Sequence, residues 1–105
     1  MVFLETSLFS KRIRDLISDE EYRILQTALL AKPDLGVMIP GSGGIRKVRW
    51  AASGRGKRGG ARVIYYWYRP GDRIYMLLAY PKSERDDLTP EQAKVLGRLV
   101  REEFK

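Results

Sequence analysis

The fold of this chain is decided by a run of 20 residues, which reads Ala61-Arg62-Val63-Ile64-Tyr65-Tyr66-Trp67-Tyr68-Arg69-Pro70-Gly71-Asp72-Arg73-Ile74-Tyr75-Met76-Leu77-Leu78-Ala79-Tyr80. Its two flanks are rich in β-branched and aromatic side chains, which favour β-strands. Between them, Arg69-Pro70-Gly71-Asp72 contains residue types that form tight turns. The sequence therefore predicts a β-hairpin with strands at residues 61–68 and 73–80.

A third strand is predicted before this hairpin, from Ile45 to Ala52. The two are separated by residues 53–60, which contain four glycines and three cations. Such a segment cannot bury apolar surface, and a loop is expected there. Three successive strands joined in this way pair as an antiparallel meander.

Helices are predicted on both sides of these strands along the chain. Residues 7–17 form the first, and a capping box of Ser18 and Glu21 opens the second, which runs to about Lys32. Thr89 and Pro90 provide the N-cap and the first position of the last helix. With a short strand at residues 2–6, the order is β-α-α-β-β-β-α. This order indicates an α+β fold in one domain, residues 1–105, with an antiparallel meander sheet and the helices packed on one face.

Apolar side chains within these helices are the expected core contacts, because they recur at helical spacing. They are Leu8, Ile13, Leu16 and Ile17 in the first helix, Tyr22, Leu25 and Leu29 in the second, and Ala93, Leu96, Val100 and Phe104 in the last.

The composition excludes several classes of site. The chain has no cysteine and no histidine, so disulfides, thiolate zinc sites, cysteine nucleophiles and Ser-His-Asp triads are impossible. No apolar run reaches the roughly 18 residues needed to span a membrane. The first residues also lack the charged and apolar regions of a signal peptide. We therefore expect a cytoplasmic protein with no membrane segment, metal or cofactor.

Positive charge is concentrated in one third of the chain. Residues 35–71 hold eight of the 20 basic residues and no acidic residue, whereas the rest holds 12 basic and 13 acidic residues. The net charge of +7 therefore arises in this segment. Such segregation is typical of a site for a polyanion, although a solvated basic face with no specific partner is the plainer alternative.

The pattern of the basic segment favours a nucleic-acid backbone over a nucleotide cofactor. Gly54, Gly56 and Gly59 have the spacing of a dinucleotide fingerprint, but a strand follows them rather than a helix. Lys47, Arg49 and Arg62 can instead lie across neighbouring strands on one face of the sheet and hold phosphates. Aromatic residues in the same hairpin could stack on bases, although alternation sends about half of them into the core; they are Tyr65, Tyr66, Trp67 and Tyr68.

A cationic cluster is chemically sufficient for metal-free RNA cleavage. The 2′-hydroxyl of RNA is itself the nucleophile, so the protein must supply positioning, charge stabilisation, a base and an acid. Neighbouring cations favour the neutral form of a lysine, which can then act as the base.

Four blocks along the chain carry a family resemblance: Pro33-x-x-Gly36, Gly43-Gly44-Ile45-Arg46-Lys47-Val48-Arg49, Gly54-x-Gly56-Lys57-Arg58-Gly59-Gly60-Ala61-Arg62-Val63-Ile64-Tyr65-Tyr66 and Tyr80-x-Lys82-x-Glu84. Together they resemble the HigB-type branch of the RelE toxin superfamily over nearly the whole chain. The resemblance implies a toxin of a type II toxin–antitoxin system that cleaves mRNA in the ribosomal A site without metal. It also implies three partners, which are the ribosome, mRNA and a cognate antitoxin that silences the toxin.

The resemblance assigns roles residue by residue. Arg62 matches an arginine that contacts the scissile phosphate, and with Arg49 it is expected to clamp that phosphate. Lys47 matches the second of two family lysines and is the candidate base. Lys82 or Lys57 is expected to act as the acid or to stabilise charge. Further RNA contacts are expected at Arg46, Arg55, Arg58 and Arg85.

The chain departs from the family pattern at three positions. The first of the two family lysines falls on Ile45, with Arg46 beside it. The arginine thought to act as the acid and the tyrosine that stacks on a base fall on Ser83 and Thr89. Two alternatives therefore stay open, a protein that binds RNA or the ribosome without cutting and a partner-regulatory protein. Arg85 has its own alternative, which is an ion pair with Asp86 or Asp87, or a helix cap.

Overall fold

The computed structural model describes residues 1–50, 60–84 and 87–103. Their elements in chain order are β1 (Val2–Glu5), α1 (Ser7–Leu16), α2 (Asp19–Ala31), β2 (Val37–Met38), β3 (Ile45–Trp50), β4 (Ala61–Tyr68), β5 (Arg73–Pro81) and α3 (Pro90–Glu103). Within these ranges, five strands form one sheet in the order β1-β5-β4-β3-β2. The α+β class predicted from the sequence is confirmed.

The predicted meander forms the centre of the sheet. Strand β4 pairs antiparallel with both β3 and β5. The hairpin turns at Gly71 and Asp72, which both have positive φ, at 79° and 54°. Glycine and aspartate tolerate this left-handed conformation, and it lets the chain reverse within four residues.

The sheet is mixed, which corrects the expectation of a purely antiparallel one. Strand β1 pairs in parallel with β5, so that Val2 lies opposite Arg73. The two-residue strand β2 adds a further antiparallel edge beside β3 and was not predicted. Both residues of β2 are exposed, so its sequence carries no alternation that indicates a strand.

Helices cover both faces of the sheet, and the expectation of one covered face was wrong. On one face, α1 and α2 pack on residues such as Val63, Tyr65 and Met76. On the other face, Val100 of α3 packs against Ile45 and Ile64. The strand residues that contact α3 alternate with those that contact α1 and α2. Strand β4 is therefore hydrophobic on both sides, which made its two faces hard to distinguish by sequence.

Thr6 fixes the start of α1 on the sheet. Its hydroxyl accepts a hydrogen bond from the Phe9 amide at 3.0 Å and donates one to the Leu77 carbonyl at 2.8 Å. The β4–β5 register shifts at this point, because Ile64 lies opposite Leu78 whereas Tyr65 lies opposite Met76. Leu77, which lies between them on β5, has no partner in this register and forms a β-bulge. Thr6 therefore both caps α1 and binds the bulged residue.

The predicted core stripes are mostly confirmed. The buried members are Ile13, Ile17, Leu25, Leu29, Ala93 and Val100, and Leu16, Tyr22 and Leu96 are partly buried against them. Leu8 was wrong, because it is 52% exposed and its neighbour Phe9 is fully buried instead. Phe104 lies outside the described residues.

Candidate nucleic-acid interface

Two arginines face each other across the centre of the sheet. Arg49 of β3 lies directly opposite Arg62 of β4 in the antiparallel register. Arg62 is only 4% exposed, whereas Arg49 is exposed. Side chains that lie directly opposite each other on neighbouring strands are close enough to act on the same ligand. An RNA phosphate at this position could accept hydrogen bonds from both guanidinium groups.

Lys47 lies on the same face as this arginine pair. It precedes Arg49 by two residues, and successive side chains of a strand alternate between faces. The sequence-based expectation that Lys47, Arg49 and Arg62 share one sheet face therefore agrees with the structure. The Lys47 side chain is 11% exposed, and its ammonium group forms an ion pair with the Asp87 carboxylate, which is 70% exposed.

The Asp87 contact was missed by the sequence analysis. Asp87 was considered only as a partner for Arg85, which lies outside the described residues. Lys47 and Asp87 are 40 positions apart, and no local spacing connects them. The contact exists because the segment before α3 returns to the sheet beside β3.

Arg46 is not brought to this cluster. Its side chain lies on the opposite face, where Nη1 donates to the Gly36 carbonyl at 2.8 Å and approaches the Asp34 carbonyl at 3.5 Å. These bonds tie β3 to the turn that follows α2. The RNA-binding role expected for Arg46 stays a prediction. In the structure its guanidinium group binds a backbone carbonyl within the protein.

The aromatic residues of β4 divide between core and surface. Tyr65 is fully buried, its hydroxyl donates to the Pro33 carbonyl at 2.7 Å, and it accepts from the Gly36 amide at 2.8 Å. Burial raises the pKa of the Tyr65 phenol. Tyr66 and Tyr68 are partly exposed on the face that carries Arg62, and their ring centroids are 6.3 Å apart. Base stacking is thus excluded for Tyr65 but remains possible for Tyr66 and Tyr68.

Trp67 belongs to the other face and is engaged within the protein. It packs against the core formed with α1 and α2. The Arg69 guanidinium lies 4.7 Å from its ring centroid, in the geometry of a cation–π contact. Of the four aromatic residues singled out in the sequence, three therefore contact a core, Tyr65 and Trp67 on this face and Tyr66 on the face of α3.

Residues 1–104 match the model of a family described as the RelE toxin of the RelE / RelB toxin-antitoxin system. The chain belongs to this RelE toxin family. Its members are generally endoribonucleases, and each works with an antitoxin partner. This membership confirms the superfamily that the sequence blocks indicated, and it makes the chain a toxin-family protein of a toxin–antitoxin system.

The three positions where this RelE-family chain departs from the family pattern have ordinary structural surroundings. Ile45 is fully buried and packs with Ile64 and Val100. Ser83 is exposed in the turn after β5, next to Lys82, which is also exposed. That turn follows Tyr80, which lies opposite Arg62, so Lys82 is at the same end of the sheet as the arginine pair. Thr89 caps α3, since its hydroxyl accepts from the Gln92 amide at 3.1 Å and its amide donates to the Gln92 side chain at 3.0 Å.

The remaining predicted site residues of this RelE-family protein lie outside the described residues. They are Arg55, Lys57, Arg58 and Arg85. Within the three described ranges, no group of three or more acidic, histidine or cysteine side chains could hold a metal ion. No helix in the described part of the chain is long and apolar enough to cross a membrane.

Proposed function

We propose that this RelE-family toxin is a HigB-type, ribosome-dependent endoribonuclease that cuts mRNA in the A site in the cytoplasm. The observation that carries the proposal is the Arg49–Arg62 pair on one face of the sheet, with Lys47 beside it. A family of toxins that generally cleave RNA provides the reaction class, and the arginine pair provides a place for the scissile phosphate.

The proposed chemistry uses the nucleophile that RNA already contains. The 2′-oxygen forms a bond to phosphorus, and the bond from phosphorus to the 5′-oxygen breaks. A base takes the proton of the 2′-hydroxyl and an acid gives a proton to the 5′-oxygen. Arg49 and Arg62 hold the phosphate and stabilise its added negative charge, and this chemistry requires no metal.

Lysines provide the remaining charge in this proposal. Lys47 can act as a base in its neutral form or stabilise the phosphate as an ammonium ion. Lys82 lies at the same end of the sheet and is a candidate for the acid, as is Lys57. The antitoxin would silence the toxin by keeping this cationic face away from mRNA.

Cleavage of a defined mRNA by the purified protein tests the proposal. We expect cuts at A-site codons when the mRNA is loaded on ribosomes, and none on the naked mRNA in EDTA. Cuts on naked RNA would contradict the ribosome requirement. Ribosome binding with no cuts would contradict the proposal and favour the alternative of a binding protein without catalysis.

Single substitutions connect the activity to the arginine pair. We expect Arg62→Ala and Arg49→Ala each to slow A-site cleavage by about a hundredfold, since each removes a group that stabilises the transition-state charge. Arg49 is exposed, so its substitution preserves the fold even if Arg62→Ala does not. Arg98→Ala, on the exposed side of α3, is the matched control and should cleave normally. Folded arginine variants that arrest growth as strongly as the wild type would show that the site lies elsewhere.

A further inference from the structure

A notch in the sheet lies at the end of β4 that is far from the arginine pair. Strand β3 begins at Ile45, opposite Tyr66, so within the described residues Trp67 and Tyr68 of β4 pair only with β5. The gap beside them has a volume of about 300 Å³, at the lower end of the range for small-ligand sites. Its walls are Met38 of β2, Gly43 and Gly44, Arg46 of β3 and residues 66–70.

The chemistry of this notch is aromatic and cationic. Of the described residues that line it, two are arginines, three are aromatic and none is acidic. Proteins bind single-stranded RNA with this combination, because bases stack on aromatic rings while cations hold the backbone. A free inorganic anion would have no use for the rings, and an apolar ligand would have none for the arginines.

Tyr68 is the ring best placed to receive a base. Tyr66 packs against the core beneath α3, whereas Tyr68 is the next residue on that face and ends the strand, where it is partly exposed. The two ring centroids are 6.3 Å apart. Arg73 lies directly opposite Tyr68 on β5, and its side chain is exposed. A base stacked on Tyr68 therefore has a cation within reach on the same face.

Arg69 can hold the phosphate of the same nucleotide. Its guanidinium lies 4.7 Å from the Trp67 ring centroid. A guanidinium has five N–H donors in a fixed fork, and one ring can engage only part of them. The others can donate to a phosphate while the cation–π contact is kept.

We infer that this notch binds one unpaired nucleotide of RNA, with the base stacked on Tyr68 and the phosphate at Arg69. The inference rests on the proposed function and deepens it, because it gives the RNA-cleaving protein a second contact with RNA. Tyr68 is six residues along β4 from Arg62, which is about 20 Å at 3.3 Å per residue. The nucleotide in the notch is therefore a different one from that at the arginine pair.

Binding of short oligonucleotides tests the inference without any need for cleavage. Fluorescence anisotropy compares a labelled oligoadenylate with a ribose-phosphate oligomer of the same length that lacks bases. We expect Tyr68→Ala to weaken binding of the oligoadenylate by about fivefold or more, the effect of losing one stacked base, and to leave binding of the abasic oligomer unchanged. Tyr68→Phe keeps the ring and should retain the wild-type affinity.

A loss of affinity that is equal for both oligomers in Tyr68→Ala would mean a structural effect and would overturn the inference. Arg69→Gln tests the phosphate contact, and it should weaken binding of both oligomers and make the salt slope shallower by about 0.7. Arg23→Gln removes the same charge from an exposed position of α2 and is the matched control, which should bind normally.

Photochemical cross-linking locates the nucleotide in the wild-type protein, so it does not depend on any variant being folded. A single-stranded RNA that contains 5-iodouridine cross-links to the aromatic side chain on which the base stacks, and we expect the modified peptide to contain Tyr68. Cross-links found only elsewhere would overturn the inference. Ultraviolet cross-linking of the toxin on ribosomes, followed by sequencing of the RNA attached at Tyr68, distinguishes mRNA from ribosomal RNA as the source, and either one supports the notch.

The failure of this inference can be told apart from the failure of the proposed function. If the wild type binds RNA at Tyr68 but never cleaves mRNA on ribosomes, the proposed function fails and the notch stands. If the wild type cleaves in the A site but Tyr68→Ala binds oligoadenylate as tightly as the wild type does, the notch fails and the proposed function stands.

Discussion

At the scale of single residues, Tyr65 shows how one polar atom connects distant parts of the fold. Its hydroxyl is hydrogen bonded to both Pro33 and Gly36 in the turn after α2. We expect Tyr65→Phe to lower the free energy of unfolding by about 1–3 kcal/mol, because it leaves the buried Gly36 amide without its acceptor. Urea denaturation at pH 7 measures the change. Tyr22→Phe is the matched control and should cost less, since the Tyr22 hydroxyl donates to Glu5 at an exposed position.

The difference in the free energy of unfolding between the wild type and Tyr65→Phe should depend on pH in a defined direction. Burial raises the pKa of Tyr65 in the folded state, so the fold favours the neutral phenol. That contribution is fully present below the ordinary tyrosine pKa of about 10 and is lost as the pH rises further. The stability gap between wild type and Tyr65→Phe should therefore narrow above about pH 10. A gap that widens there would contradict a buried neutral phenol.

The sequence predicted correctly which side chains share a sheet face where they lie on the same strand. Lys47 and Arg49 are two residues apart on β3, so their common face follows from alternation alone. That Arg62 lies opposite Arg49 depends on register, which the hairpin and the loop length left open. Asp87 could not be found in this way, because its contact with Lys47 depends on how α3 returns to the sheet.

At the scale of elements, Gly97 sets how closely α3 approaches the rest of the protein. A Cβ at this position would lie 2.0 Å from the Ser42 carbonyl oxygen, in the loop before β3. Replacing a helical glycine by alanine normally favours the helix by about 1 kcal/mol. Here we expect Gly97→Ala to destabilise the protein by about 1–3 kcal/mol, since α3 must move away from a backbone atom.

Thermal and urea unfolding of Gly97→Ala measure this effect, and Arg98→Ala on the exposed side of α3 provides the control for a change in helix propensity. A variant with unchanged or higher stability would show that α3 is free to shift. Val100 packs on Ile45 and Ile64, so a shift of α3 would also loosen the hydrophobic contacts between α3 and the sheet.

The elements themselves were predictable where local chemistry defines them. The capping box at Ser18 and the N-cap at Thr89 both form as their sequences indicate. The parallel pairing of β1 with β5 could not be predicted, because about 70 residues separate the partners and no local signal specifies the neighbour. The placement of α3 on the face opposite α1 and α2 could not be predicted either. Both faces of the sheet are hydrophobic, so the apolar stripe of α3 could pack on either one.

At the scale of the whole molecule, the segregation of charge in the sequence becomes partly a spatial one. Among the described residues of the basic segment, Lys47, Arg49 and Arg62 share one face of the sheet, whereas Arg46 and Arg69 are engaged elsewhere. A polyanion at this face therefore meets a local cluster of three cations. Binding driven by such contacts releases counterions and weakens as salt rises.

Salt-dependent binding distinguishes this local site from net charge alone. For single-stranded RNA, the slope of log K against log salt changes by about 0.7 for each phosphate that the protein no longer neutralises. The combined variant Lys47→Met, Arg49→Gln and Arg62→Gln should therefore bind RNA with a slope that is shallower by about 2.

A matched control variant, Lys11→Met with Arg14→Gln and Arg23→Gln, removes the same charge from exposed positions of α1 and α2. Fluorescence anisotropy with a labelled RNA measures both slopes between about 50 and 300 mM salt, a range over which a slope of about 2 changes affinity by roughly 40-fold. The helix variant should retain nearly the wild-type slope, because its charges lie away from the sheet face that holds the phosphates. Equal changes of slope in the two variants would mean that RNA responds only to the overall charge of the protein, and the arginine pair would then have no special part in binding.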